Sequence, residues 1–255
     1  MRGLAAAVTL LTRVPIGTAT VSPRTMADSV MWIPLVGGLI GLAVAAVYAG
    51  MISVVAPIVG SSVAIAFGVI LTGALHEDGL ADTADAFAGG SGRDQVVRIL
   101  KDPAHGSYGG LALVLSVVIR VAALSSLGMV AAFIVLPAVH ALSRGAAIGL
   151  IAVLPPATGE GLGAAHAQPG VRARVGGGLT LALAVGALTL GWWVLVFGLA
   201  ATLAASMIGL LARSKIEGYT GDVLGATQQV AEIVLLVIGA SMAMGGRILS
   251  AGWWQ

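Results

Sequence analysis

Long apolar runs separated by short polar stretches set the organisation of this chain. A helix that crosses a bilayer needs about 20 mainly apolar residues. The runs predict spans at about 31–51, 53–75, 109–128, 130–151, 178–194, 196–212 and 229–249. Pro57 breaks the overlong run from Met31 to Leu75 and predicts a turn between Gly50 and Pro57. Gly191-Trp192-Trp193 divides the run from Gly176 to Ala212 at an aromatic interface, and a tight joint falls near Ser125–Gly128. Seven spans is the count, with six and eight as its neighbours. The expected fold is all-α, a polytopic membrane helix bundle forming a single domain over 1–255. Within it, 1–28 is an interfacial N-terminal segment. Gly3–Leu11 follows a charged start as a signal peptide would, but Arg13 and Pro15 come at once and favour a short interfacial helix. Residues 152–177, with Pro155-Pro156, Pro169 and the glycines Gly159, Gly161, Gly163, Gly170 and Gly176, predict a flexible loop.

Composition supports burial in a lipid bilayer. The 255 residues are 58% hydrophobic and 9% charged, where a soluble domain carries about 25%. Mean hydropathy is +1.02. Glycine, at 37 residues, is about twice its usual share. That suits helices in close contact, including contacts between subunits of a homo-oligomer. The absence of cysteine excludes disulfides, thiolate zinc sites and iron–sulfur clusters. A formal charge of +2 gives no basis for nucleic-acid binding.

The distribution of charge is more informative. With seven spans, one side receives the N-terminal segment and the loops 76–108, 152–177 and 213–228. Arg2, Arg13, Arg24, Arg93, Arg98, Lys101, Arg172, Arg174, Arg213 and Lys215 all fall there, against Arg247 on the other side. The bias makes that side cytoplasmic. Every acidic residue except Glu232 shares it.

Four of the eleven acidic residues lie within nine positions of the loop 76–108, in His76-Glu77-Asp78-Gly79-Leu80-Ala81-Asp82-Thr83-Ala84-Asp85. In a helix, Asp78, Asp82 and Asp85 stand at i, i+4 and i+7 on one face. Like charges so close require a cation, and Mg2+ bound with a phosphorylated substrate fits oxygen ligands of this kind. Gly79 permits close approach of a phosphate or another backbone. Arg93, Arg98 and Lys101 bring cationic donors near the acids, and Arg is suited to gripping phosphate. Lys101-Asp102 then leads into a glycine-rich turn containing His105. Two charges lie inside spans and must face the interior and a partner. Arg144 is within reach of a bound phosphate at the cytoplasmic end, whereas Arg120 lies deeper, as a structural charge. Before the last span, Asp222 is either a helix N-cap or, with Gln228 and Glu232 following, part of a second wall of the site. His76 and His105 are candidates for proton transfer, while His140 and His166 lack an evident partner.

These residues resemble the cobalamin synthase family, the adenosylcobinamide-GDP ribazoletransferases. The resemblance is carried by the His76–Asp85 motif, Lys101-Asp102, Ser143-Arg144, Thr220-Gly221-Asp222-Val223-Leu224-Gly225-Ala226 and Glu232. Thr12-Arg13-Val14-Pro15 and Pro34-Leu35-Val36-Gly37 add N-terminal signatures. Glu77, Ala86-Phe87 and Pro103 depart from the family's usual leucine, glycine and serine. The resemblance implies a Mg2+-dependent transfer of adenosylcobinamide phosphate from adenosylcobinamide-GDP to alpha-ribazole or its 5′-phosphate, releasing GMP. It further implies that Asp78, Asp82 and Asp85 hold the metal. Arg98, Lys101 and Arg144 would neutralise phosphate oxygens, and Asp222 or one of the other aspartates would take the hydroxyl proton. Glu77, His76, Asp102 and Glu232 are supporting candidates.

Two alternatives are weaker. A CDP-alcohol phosphotransferase would follow its Asp-Gly with an Ala-Arg pair, which Asp78-Gly79-Leu80-Ala81-Asp82 lacks. A cation-coupled transporter would place its carboxylates near the bilayer midplane, often in an inverted repeat. No such repeat is evident in the sequence.

Overall fold

A computed structural model describes residues 2–16, 22–158 and 168–245. Its described residues form helices joined by short connections, without a named strand. In chain order these are α1 (Arg2–Leu11), α2 (Pro23–Ser29), α3 (Ile33–Ile52), α4 (Pro57–Thr72), α5 (Leu75–Gly89), α6 (Arg93–Leu100), α7 (Ser107–Ser125), α8 (Met129–Val153), α9 (Val171–Leu190), α10 (Val194–Ile216) and α11 (Gly221–Met244). Short 3-10 turns join α2 to α3 and α9 to α10.

Five apolar helical stretches are long enough to cross a bilayer: Arg24–Ile52, Ser107–Ser125, Met129–Val153, Val171–Ile216 and Gly221–Met244. The bent pair α4–α5 makes a sixth. The breaks fall where Pro57, Gly128 and Gly191 predict them. Gly191 adopts a positive φ of 60°, and the chain doubles back there. A Cβ on Gly198 would touch the Leu183 side chain at 3.7 Å, although 15 residues of straight helix would hold the two about 22 Å apart.

Helix α8 is the axis of the bundle, with 18 of its 25 residues buried, among them His140, Ser143 and Arg144. Helix α3 lies against it through glycines. A side chain at Gly37 would collide with Arg144 and the His140 carbonyl, and one at Gly41 with the Leu136 carbonyl. Tyr48 at the other end of α3 donates to the Leu127 carbonyl at 2.7 Å. Apolar side chains on α7, including Leu111, Val114, Leu115 and Val118, are exposed, as a lipid-facing surface requires.

Two expectations change. The segment 76–108 is not a single loop: its first part is α5, its middle is α6, and only Gly90–Gly92 and Lys101–Gly106 are irregular. Nor does α4 carry the chain out of the bundle before the acids begin. It stops at Gly73-Ala74, both in the left-handed region (φ 65° and 59°), and α5 leaves at 90°. Helix α5 starts beside the middle of α7 and α11, where Glu77 meets Arg120 and Gln229. It runs to the beginning of α7, where Asp85 meets Gly106 and Gly109. The expected loop 152–177 gives way to α9 from Val171, and its Gly159, Gly161, Gly163 and His166 lie outside the described residues.

Candidate active site

The acids of α5 sort themselves by depth and neighbour. Glu77, nearest the helix start, is buried, and its Oε1 accepts from Arg120 Nη1 at 3.0 Å and Gln229 Nε2 at 3.2 Å. The same Arg120 nitrogen donates to Glu232 Oε1 at 3.1 Å. Arg120 therefore has the interior partners that a charge within apolar sequence demands. Glu232 is also held by Gln228, and its Oε2 lies 3.5 Å from His140 Nδ1. Gln228 reaches Ser143 Oγ at 3.2 Å, tying α11 to α8. Glu77 and Glu232 thus belong to a buried network that fixes α5, α7, α8 and α11 to one another.

Asp78 and Asp82 converge as their spacing predicts. With His105 they form a group whose ligand atoms all lie within 4.8 Å of one another. His105 Nδ1 is 3.4 Å from Asp82 Oδ1, and Nε2 is 3.9 Å from Asp78 Oδ1. The Asp82 carboxylate lies close to that of Asp78, and the two like charges repel. A divalent cation would relieve that repulsion, and two carboxylates one helical turn apart are suitable oxygen ligands for it.

The third aspartate does something else. Asp85 is buried, and its two oxygens accept the backbone N–H groups of Gly106 at 2.6 Å and Gly109 at 2.9 Å. A Cβ on either glycine would overlap the carboxylate. Asp85 therefore clamps the loop that presents His105, instead of joining Asp78 and Asp82.

Asp222 completes the mouth of the site from α11. The N-cap there is Thr220, whose Oγ1 accepts the Val223 N–H at 3.3 Å, so the Asp222 side chain is not needed as the cap. Gly79 makes this approach possible. A Cβ on it would lie 2.8 Å from the Asp222 carbonyl oxygen, and the facing Gly225 is equally bare. The close approach expected at Gly79 is thus to another backbone.

Behind Asp78 and Asp222 lies a cavity of about 220 Å3 whose polar inner lining includes His76 and Arg144. Arg144 is buried, donates Nη1 to His140 Nδ1 and to the His140 carbonyl at 3.1 Å each, and has no partner for Nε. Arg98, Lys101 and Asp102 are exposed. Asp102 Oδ1 accepts the Ala104 N–H at 3.0 Å and shapes the loop toward His105. Arg93 pairs with Glu217 at 3.8 Å and donates to the Ala157 carbonyl at 3.0 Å, joining three connections on this face.

Two contributions escape a reading of the sequence. His105 carried a hint, since it sits in a glycine-rich turn after Lys101-Asp102, but only folding sets it against Asp78 and Asp82. Arg13 looked like one more basic flank. Its N–H donates to the Leu71 carbonyl at 2.8 Å, and its guanidinium lies across Gly73, at the break that aims α5.

Known proteins resemble this chain along most of its length. Residues 3–240 match the family model for cobalamin-5-phosphate synthase. A Rhizobium etli adenosylcobinamide-GDP ribazoletransferase is 41% identical over 244 residues, covering 91% of this chain and 94% of that protein. The proteins of the same name from Azorhizobium caulinodans and Bradyrhizobium diazoefficiens are 41% identical over 235 residues and 35% over 247. They cover 88% and 94% of this chain, and 89% and 93% of their own lengths. No solved structure matches. A match along nearly the whole chain, through the helices that carry Asp78, Asp82, Arg144 and Asp222, means that the chain belongs to the cobalamin-5-phosphate synthase family.

Proposed function

We propose that this protein transfers the adenosylcobinamide phosphate group of adenosylcobinamide-GDP to alpha-ribazole or alpha-ribazole 5′-phosphate, releasing GMP. The observation that carries it is the meeting of Asp78 and Asp222 at a cavity also lined by Arg144, with Asp82 and His105 grouped beside Asp78. Family membership supports the same reading. In the transfer, a ribose hydroxyl of the acceptor forms a bond to the cobinamide-side phosphorus. The bond from that phosphorus to the GMP oxygen breaks, and the hydroxyl proton leaves. Asp222 is suited to take it, since this carboxylate lines the cavity, with Oδ2 accepting from the Thr220 hydroxyl at 3.3 Å. Asp78 and Asp82 would hold Mg2+, with His105 beside them. When bound, the ion supplies charge neutralisation at the diphosphate and the leaving phosphate. Asp85 keeps the His105 loop in register, and Arg144, which lines the cavity, offers its guanidinium to bound substrate. Arg98 and Lys101, exposed on the same face, are suited to attracting an anionic donor before it docks.

We further propose that the chain crosses the membrane seven times with the acids on the cytoplasmic side. The reversal at Gly191 supports two crossings in Val171–Ile216, and the bias of basic residues supports the orientation. The direct test is purified protein with adenosylcobinamide-GDP, alpha-ribazole and Mg2+, followed for GMP. Stoichiometric GMP and a cobalamin product are expected, with loss of both on chelation. Folded protein that yields no GMP rejects the transfer.

A further inference from the structure

We infer that the cavity behind Asp78 and Asp222 is the seat of the acceptor's heteroaromatic base, and that Ala147, Ile148 and Ile151 set which base fits. This rests on the transfer proposed above. The mouth of the cavity is formed by the two carboxylates and Gly221, and its wall by Leu11, Ile33, Leu75, Ala147, Ile148 and Ile151. His76 and Arg144 are the polar groups at its inner end.

Three bulky groups meet in the reaction, and the lining distinguishes them. A corrinoid is far larger than about 220 Å3. Guanine would fit by size but carries two donors and an acceptor along one edge. An aliphatic wall would strip these of water without replacing their hydrogen bonds, which burial disfavours. The dimethylbenzimidazole of a ribazole is a fused ring bearing two methyl groups, with one free ring nitrogen as its sole acceptor. Its flat apolar body matches the aliphatic wall, and its single acceptor asks for one donor, which the Arg144 guanidinium or His76 among the lining residues can supply. A base seated this way directs the attached ribose outward to Asp222, where its hydroxyl must lose a proton. Leu11 gives the N-terminal helix α1 a part in the site, as one wall of the base pocket.

The test is a size exchange at the wall. Ala147→Leu shortens the cavity by about the volume of the two ring methyls. It should raise KM for alpha-ribazole about tenfold or more while moving KM for adenosylcobinamide-GDP less than about twofold. The riboside of unsubstituted benzimidazole should recover most of the loss. Equal rises in both KM values, or no recovery with the smaller base, would overturn the pocket. A second measurement needs no turnover: equilibrium binding of alpha-ribazole to detergent-purified protein, compared between wild type and Ala147→Leu. Binding that weakens in the variant while wild type releases no GMP keeps the pocket and discards the transfer. GMP release by wild type with unchanged acceptor binding and KM in the folded variant discards the pocket and keeps the transfer.

Discussion

Three aspartates that the helical period places on one face of α5 end in two different roles. Asp82→Asn should lower GMP release by about two to three orders of magnitude with normal membrane insertion, because it removes a ligand charge from the proposed metal site. Near-normal turnover would remove Asp82 from that role. Asp85→Asn should act more mildly, by loosening the two backbone hydrogen bonds that hold the His105 loop. Its effect should appear as a raised substrate KM before any loss of metal affinity, measured by titrating Mg2+ against rate. Protons compete with the cation for the Asp78 and Asp82 carboxylates, so apparent Mg2+ affinity should rise with pH over the range in which they ionise. Magnesium titrations of GMP release at pH 5.5, 6.5 and 7.5 check the sign.

Between elements, the orientation of α5 depends on contacts that its own sequence does not contain. Arg13 secures the break at Gly73, Gly79 and Gly225 bring α5 against α11, and Glu77 joins Arg120 and Glu232 within the bundle. Gly79→Ala drives a methyl into the Asp222 backbone and should destabilise the fold by about 1–3 kcal/mol, moving Asp78 away from Asp222. Glu77→Gln leaves Arg120 with one buried carboxylate instead of two. Removing one partner of a buried pair costs about 3–5 kcal/mol, an upper bound here because Glu232 remains. Both effects can be read as a lower thermal midpoint in detergent. An unchanged midpoint for Glu77→Gln would show that Glu232 alone satisfies Arg120.

The absence of native cysteine makes the arrangement of the whole molecule directly testable. Single cysteines placed at exposed Ser53 and Ser126 should react with an impermeant maleimide from the opposite side of the membrane to those at Ser91 and Ser214. Labelling of all four from one side would sink both the crossing count and the cytoplasmic site. Helix positions at this scale were largely legible in the chain. Pro57, Gly128 and Gly191 mark helix breaks because proline and glycine act on the local backbone, although Pro137 is accommodated within α8. The 90° bend after α4 was not legible. Gly73 permits it, but Ala74 at positive φ is held there only by the surrounding fold.

The sequence by itself determined the solvent, the helices and the chemical class of the site. Apolar runs of span length require lipid, and carboxylates spaced by one helical turn must share a face. Tertiary structure decided which carboxylates act together. Asp85 and Glu77 have the same chemistry as Asp78 and Asp82, but the N–H groups of Gly106 and Gly109 engage one and Arg120 the other. Those partners lie 21 to 43 residues away along the chain. The base pocket is likewise a tertiary product, built from α1, α3, α5, α8 and α11. Helical periodicity is a property of neighbours in sequence; a cavity and its charge balance belong to neighbours in space.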